Sequence, residues 1–179
     1  MLADAMQQAL DLVRDNRAWA TPIVFAISLG ESLAFVSFLV PATVILIGVG
    51  ALINAGTLQF LPIWAAATVG GCLGYWISFV VGQRLGPEAL RRWPVNRHPH
   101  TVARAEAFFH RHGALSVFAG HFFSPVRGVI PLVAGILGMR TLPFQIANVT
   151  SAALWAYLVL LSGDLGGDAI GRLRDTLGR

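Results

Sequence analysis

Apolar residues in this chain come in long runs separated by polar stretches, and broken runs alternate with unbroken ones. Residues 19–56 form the first run. Glu31 is its only charge, and Pro22, Gly30 and Pro41 interrupt it. A membrane-spanning helix takes about 20 apolar residues. This run is too long for one such helix and too short for two with a turn, so it predicts a broken, re-entrant hairpin. Irregular backbone is not tolerated against lipid, so the break must be covered by protein or line a wet cavity. Residues 60–82 carry no charge and predict a full span, in which Gly70, Gly71 and Gly74 would let another helix approach closely. Residues 113–139 are apolar again. Their one interior charge is Arg127, flanked by Pro125, Gly128 and Pro131, and they predict a second broken hairpin. Residues 141–163 are an uncharged final span containing Asn148, Trp155 and Tyr157.

The polar stretches complete the plan. Within residues 1–18, Leu2, Met6, Leu10 and Val13 recur at spacings of three and four, which predicts an amphipathic arm lying on a membrane or free in solvent. Residues 83–112 hold Arg84, Arg91, Arg92, Arg97, Arg104 and Arg111 against Glu88 and Glu106. Arginines beside membrane segments mark the cytoplasmic side. Residues 101–112 predict a second amphipathic helix, and residues 164–179 a polar tail. The order is broken segment, span, basic loop, broken segment, span. The fold class expected is an all-α integral membrane protein with two re-entrant hairpins and two spans in an inverted repeat. Paired interrupted segments mark the transport site in such repeats.

Composition strengthens the membrane reading. Hydrophobic residues make up 55% of the 179 residues and charged residues 12%, against about 25% charged in a soluble domain. Mean hydropathy is +0.66. All 13 basic residues are arginine. The net charge of +4 and pI near 10.6 would suit nucleic acid in a soluble protein. Here the arginines adjoin apolar spans, so anionic lipid headgroups are the expected partner and nucleic acid is not. Cys72 is the single cysteine, which excludes an intramolecular disulfide or a cysteine metal cluster. The N-terminus lacks the basic start and apolar run of a signal peptide.

Few residues can carry chemistry. An ionisable group in mid-bilayer costs roughly 2.5–3.5 kcal/mol on insertion scales and is a functional candidate by default. Glu31 is either a proton or cation site or an interfacial glutamate ending a short first helix. Arg127 either holds a phosphate through its planar guanidinium or forms a structural pair, with Glu31 as its expected partner. His121 is either a packed histidine or a proton-coupling group, since its ordinary pKa is about 6.5. His98, His100, His110 and His112 read as a solvated surface, and no metal site is expected. Ser124 lies near His121 and Arg127 with no acid to complete a triad. The absence of lysine rules out a phosphate-binding glycine loop of the ATPase type. No enzyme activity and no cofactor are predicted.

The stretch Gly120-His121-Phe122-Phe123-Ser124-Pro125-Val126-Arg127-Gly128-Val129-Ile130-Pro131-Leu132-Val133-Ala134-Gly135 resembles the DedA family of bacterial inner-membrane proteins, whose eukaryotic relatives carry the VTT domain. Gly74-Tyr75, Gly82-Gln83-Arg84-Leu85-Gly86 and the run from Phe144 through Asn148 to Trp155 add to it, and the likeness covers nearly the whole chain. The resemblance implies two facing re-entrant hairpins in the bacterial inner membrane. It also implies lipid translocation, either flipping of undecaprenyl phosphate or scrambling of phospholipid, with links to envelope integrity and the proton motive force. Glu31 matches the family's acid in the first hairpin, and Arg127 matches the second arginine. Two positions depart. Pro41-Ala42-Thr43 stands where many relatives have Pro-Gly and an acid, and His121 stands where they have a first arginine. One acid and one arginine are thus missing together, as expected if the two pair in relatives.

The function expected is transport of a lipid phosphate. Arg127 would hold the phosphate, while Glu31 and His121 couple or release it with protons. Thr43, Pro41, Pro125, Pro131 and Asn148 would complete the site, and Arg84, Arg91 and Arg92 would gather headgroups. The alternatives are a proton-coupled carrier for a small ion or solute, supporting envelope and pH homeostasis, and a membrane scaffold that transports nothing. A homo-oligomer is left open.

Overall fold

The computed structural model describes residues 19–33, 42–88, 107–109, 111–122 and 127–177. Among the described residues the regular structure is helical throughout, with no strand. The helices are α1 (Ala20–Ser32), α2 (Ala42–Asn54), α3 (Phe60–Leu85), α4 (Ala114–Gly120), α5 (Val129–Ile136) and α6 (Thr141–Leu177). The N-terminal arm, Pro41, Arg91, Arg92 and Pro125 lie outside the described residues.

Proline sets several helix starts. Pro22, Pro62, Pro131 and Pro143 each occupy the third position of their helix. First-turn N–H groups have no partner within the helix, so a residue lacking one costs nothing there, and its fixed φ suits the turn. Pro131, expected to flank a break, is thus a buried residue of the first turn of α5. The ends of α2 and α5 repeat one another. Gly56 and Gly138 both have φ of 70°. Each donates to the carbonyl three residues back, and the next residue donates to the carbonyl five back: Gly56 to Ile53 and Thr57 to Leu52, Gly138 to Gly135 and Met139 to Ala134. This is the Schellman stop, which needs a left-handed residue at its turn.

Helix α3 has 26 residues, and the apolar part of α6, Thr141–Gly163, has 23. At 1.5 Å per residue both exceed a hydrocarbon core of about 30 Å. Helices α1 and α2, with 13 residues each, rise only about 20 Å apiece, so the first apolar run is interrupted as expected. The second is interrupted between α4 and α5. One expected boundary changes: helix α3 continues to Leu85, past Gly82. The final span ends at Gly163 as expected, and its helix runs on to Leu177. No proline stands between Gly163 and Leu177 to stop it.

The long helices run antiparallel. Phe60 meets Tyr157 and Phe79 stacks on Phe144. Between those pairs, the Trp64 indole donates to the Ala153 carbonyl at 3.0 Å and the Asn148 amide to the Cys72 carbonyl at 3.0 Å. Trp64 thus ties one helix to the other. Helices α2 and α5 each pack on the long helix of the other half. A Cβ on Gly50 of α2 would meet the Leu160 carbonyl, and one on Gly163 of α6 the Ile47 carbonyl. Likewise Gly82 of α3 meets the Leu132 carbonyl and Gly135 of α5 the Phe79 carbonyl. Gly82, in a helix starting at Phe60, and Gly163, in one starting at Thr141, share a register 22 residues in. Helix α1 lies along α3, with its backbone against Gly70 and Gly74.

Polarity is turned inside out relative to a water-soluble bundle. Ser28, Glu31, Ser32, His121, Arg127, Asn148 and Ser151 are buried, while Val69, Trp76, Ile77, Val81, Ile146 and Val149 are exposed. Large apolar surface outside and polar groups inside suit a lipid solvent.

Candidate functional site

The structure brings Glu31 and Arg127 together across 96 positions of sequence. The Arg127 Nη1 lies 3.2 Å from Glu31 Oε2, with side chains 1% and 6% exposed. Glu31 is the penultimate residue of α1, where the first apolar run breaks. Arg127 stands two residues before α5, at the second break. The interruptions therefore deliver one acid and one guanidinium to a common place.

Three further contacts hold the pair. Thr43, in the first turn of α2, donates to Glu31 Oε1 at 2.7 Å. The Arg127 Nη2 donates to Ser32 Oγ at 3.2 Å. The indole of Trp155 covers the guanidinium, with Cζ 3.7 Å from the ring centroid, a cation–π contact that gains strength where water is excluded. The Nη1–Oε2 contact is a charge pairing off the hydrogen-bond axis. Neither atom, nor Arg127 Nε, has an aligned partner among the described residues. An unsaturated buried guanidinium retains donors for an anionic ligand.

His121 is buried beside this pair in a different network. Its ring lies 3.8 Å from that of Tyr75, and Nδ1 is 2.8 Å from Ser151 Oγ. Ser151 also donates to the Asn148 carbonyl at 3.1 Å. When its single proton is used there, Ser151 accepts from Nδ1–H, which leaves Nε2 as a bare acceptor. That nitrogen faces Gly71, where an added Cβ would sit 3.9 Å from it and 3.7 Å from Ser32 Oγ. Gly71 and Tyr75 lie near the middle of α3, and Ser151 and Trp155 near the middle of the apolar part of α6. The polar cluster is therefore at mid-depth of the apolar bundle.

The VTT domain model matches residues 40–165, well over half of the chain. The chain belongs to the VTT-domain family, that of the DedA proteins. Inner membrane protein YabI of Escherichia coli K12 is 33% identical over 167 residues, which cover 92% of this chain and 65% of the relative. YghB of the same strain is 38% identical over 128 residues, 71% of this chain and 58% of the relative. YqjA is 30% identical over 142 residues, 79% of this chain and 64% of the relative. This chain therefore spans under two thirds of the length of these DedA relatives. No solved structure matches it. All three relatives are inner membrane proteins by name.

The expected DedA site residues fall into three groups. Glu31, Arg127, Thr43 and His121 converge. Thr43 and His121 take separate partners, Thr43 the carboxylate and His121 the serine–tyrosine cluster. Asn148 braces the long helices through Cys72, with its Oδ1 unpartnered among the described residues, and Pro131 starts α5. Arg84 is exposed in the last turn of α3. The sequence reading passed over Ser32, Tyr75, Ser151 and Trp155 as site residues. For Ser151 and Trp155 a signal was available: with Asn148 they follow one another at spacings of three and four along an uncharged span, which puts them on one helix face.

Proposed function

We propose that this protein moves a phosphate-bearing lipid across the bacterial inner membrane, with Arg127 as the phosphate-holding group and Glu31 as the group that releases it. One observation carries the reading: an acid and a guanidinium from two interrupted helical segments meet, buried, midway along two apolar helices. A buried ion pair is weak evidence for stability alone, because desolvation offsets much of its attraction. Its placement is better accounted for by an exchange of partners. An anionic phosphate would take the guanidinium, and Glu31, on Thr43, would accept a proton as it lets go. The shared glycine register of α3 and α6, and the matching stops of α2 and α5, support reading the halves as an inverted repeat with re-entrant hairpins. His121 then lies close enough to lend proton sensitivity.

A proton-coupled carrier for a small solute is the second reading. It draws on the 1% exposure of Arg127, which leaves a bulky headgroup no open route in this conformation. Reconstitution separates the two. Liposomes carrying labelled undecaprenyl phosphate and ordinary phospholipid are expected to show protein-dependent transbilayer movement, lost in Arg127→Ala and Glu31→Gln. Folded protein that moves neither lipid ends the lipid reading. A scaffold with no transport role predicts instead that these variants differ from the parent only in stability.

A further inference from the structure

Helices α4 and α6 leave an outward-facing groove of about 410 Å³ between them. Ala114, Leu115 and Phe118 line it on one side, and Leu142, Ile146 and Thr150 on the other. The Thr150 hydroxyl is turned back onto the carbonyls of Ile146, at 2.7 Å, and Ala147, at 3.2 Å. The wall is therefore apolar in effect. Leu115 and Ile146 are 68% and 59% exposed, so the groove opens sideways, toward lipid in a membrane-embedded chain.

Its two ends differ. The outer end lies where α4 and α6 begin, beside exposed Arg111 and Arg140. Because α3 runs antiparallel to α6, its last turn with Arg84 reaches the same end, along with Glu88 and His112, and the described charge there is net positive. The inner end stops at Thr150, adjacent to Ser151, which holds His121. An apolar trough with a basic mouth complements one molecule type: an apolar chain ending in a phosphate. A second copy of this chain would have to bring acidic groups to this net-positive mouth.

We propose that this groove seats one hydrocarbon chain of a phosphate-bearing lipid, with the phosphate at Arg111 and Arg140, as the waiting position beside the Glu31–Arg127 site. The assignment deepens the lipid-transport reading and rests on it for its purpose, but its occupancy can be measured alone.

The protein is reconstituted into phosphatidylcholine vesicles containing phosphatidylglycerol with a diazirine in its acyl chain, and photolabelled residues are mapped. Labelling is expected to concentrate on residues 114–118 and 142–150, above that on the exposed Trp76–Val81 face of α3. Ile146→Trp and Leu115→Trp, both at exposed positions, should fill the trough and abolish the preference. Arg140→Gln should reduce it about fivefold, the effect of one arginine at a lipid surface. Neutral diacylglycerol bearing the same diazirine should not respond to Arg140→Gln. Equal labelling of both faces, or crosslinks between two protein chains at Leu115 and Ile146, overturns the assignment. Groove labelling that persists in Arg127→Ala while transport is lost supports it. Groove labelling in a parent protein that moves no lipid leaves the groove standing and removes the transport reading. Transport at the parental rate in Ile146→Trp, with the groove unlabelled, removes its role as a waiting position and leaves the transport reading standing.

Discussion

The two long helices occupy equivalent places and do different work at the same depth. Ten and fourteen residues into α3 stand Gly70 and Gly74; at the same steps into α6 stand Ser151 and Trp155. The glycines let α1 come down onto α3 until backbone touches helix: a Cβ on Gly70 would be 2.5 Å from the Phe25 carbonyl, and one on Gly74 2.6 Å from Ser32 Cβ. That closeness fixes Glu31 and Ser32 at the end of α1. On α6 the same positions reach outward instead, Ser151 to His121 and Trp155 over Arg127. One half positions its charge by removing side chains, and the other by supplying them. Two helices that share a glycine register are thus chemically unequal at these steps, one drawing in the acid and the other covering the guanidinium.

The sharpest way to break this contrast is to remove one member of the pair. Arg127→Met or Glu31→Gln alone should destabilise the protein by about 3–5 kcal/mol, since either leaves a buried group uncompensated. The double variant should recover much of that stability while transport stays lost. Thermal unfolding in detergent beside a lipid-transport assay reads both, and a double variant no more stable than the singles would show that the two are not coupled. Next come the glycines that clasp the halves. Gly82→Ala and Gly163→Ala should each cost about 3 kcal/mol, the upper end for overpacking, because the new methyl meets a backbone carbonyl. Markedly unequal losses would argue against a common register. Trp155→Leu should cost about 1–2 kcal/mol of cation–π and packing energy and reduce transport more than Trp155→Phe does. The smallest effect tests the glycine contrast within α3. Gly71→Ala, whose methyl would find only ordinary contacts at 3.7–3.9 Å, should be neutral or gain up to about 1 kcal/mol in helix propensity. Gly74→Ala, two short contacts away from such freedom, should lose stability.

The hydropathy pattern was enough to draw the plan, because lipid imposes a length and an apolar surface that a single sequence displays. The two unbroken spans, the two broken segments and the lone charges at the breaks were all visible in it. Glu31 and Arg127 stood out because charge in an apolar run is costly. What surrounds them was hidden for the opposite reason. Serine, tyrosine and tryptophan are unremarkable in a membrane helix, and only their rotation about the axis makes Ser32, Ser151, Tyr75 and Trp155 neighbours of the charges. Pro131 flanks the second break as the pattern indicates, and its third place in α5 shows that it does so by starting the helix that follows. The last span ends at Gly163, where the polarity changes, while its helix continues to Leu177, because a change of solvent does not stop a helix that lacks a breaker.

The exchanged packing of the short helices has a consequence for the chain as an object. Helix α2 rests on α6 and α5 rests on α3, so each half is a lock whose key belongs to the other. A polypeptide severed between α3 and α4 should yield two pieces that insert separately yet purify as one. A hinge-like displacement of either piece must drag the other's broken helix with it.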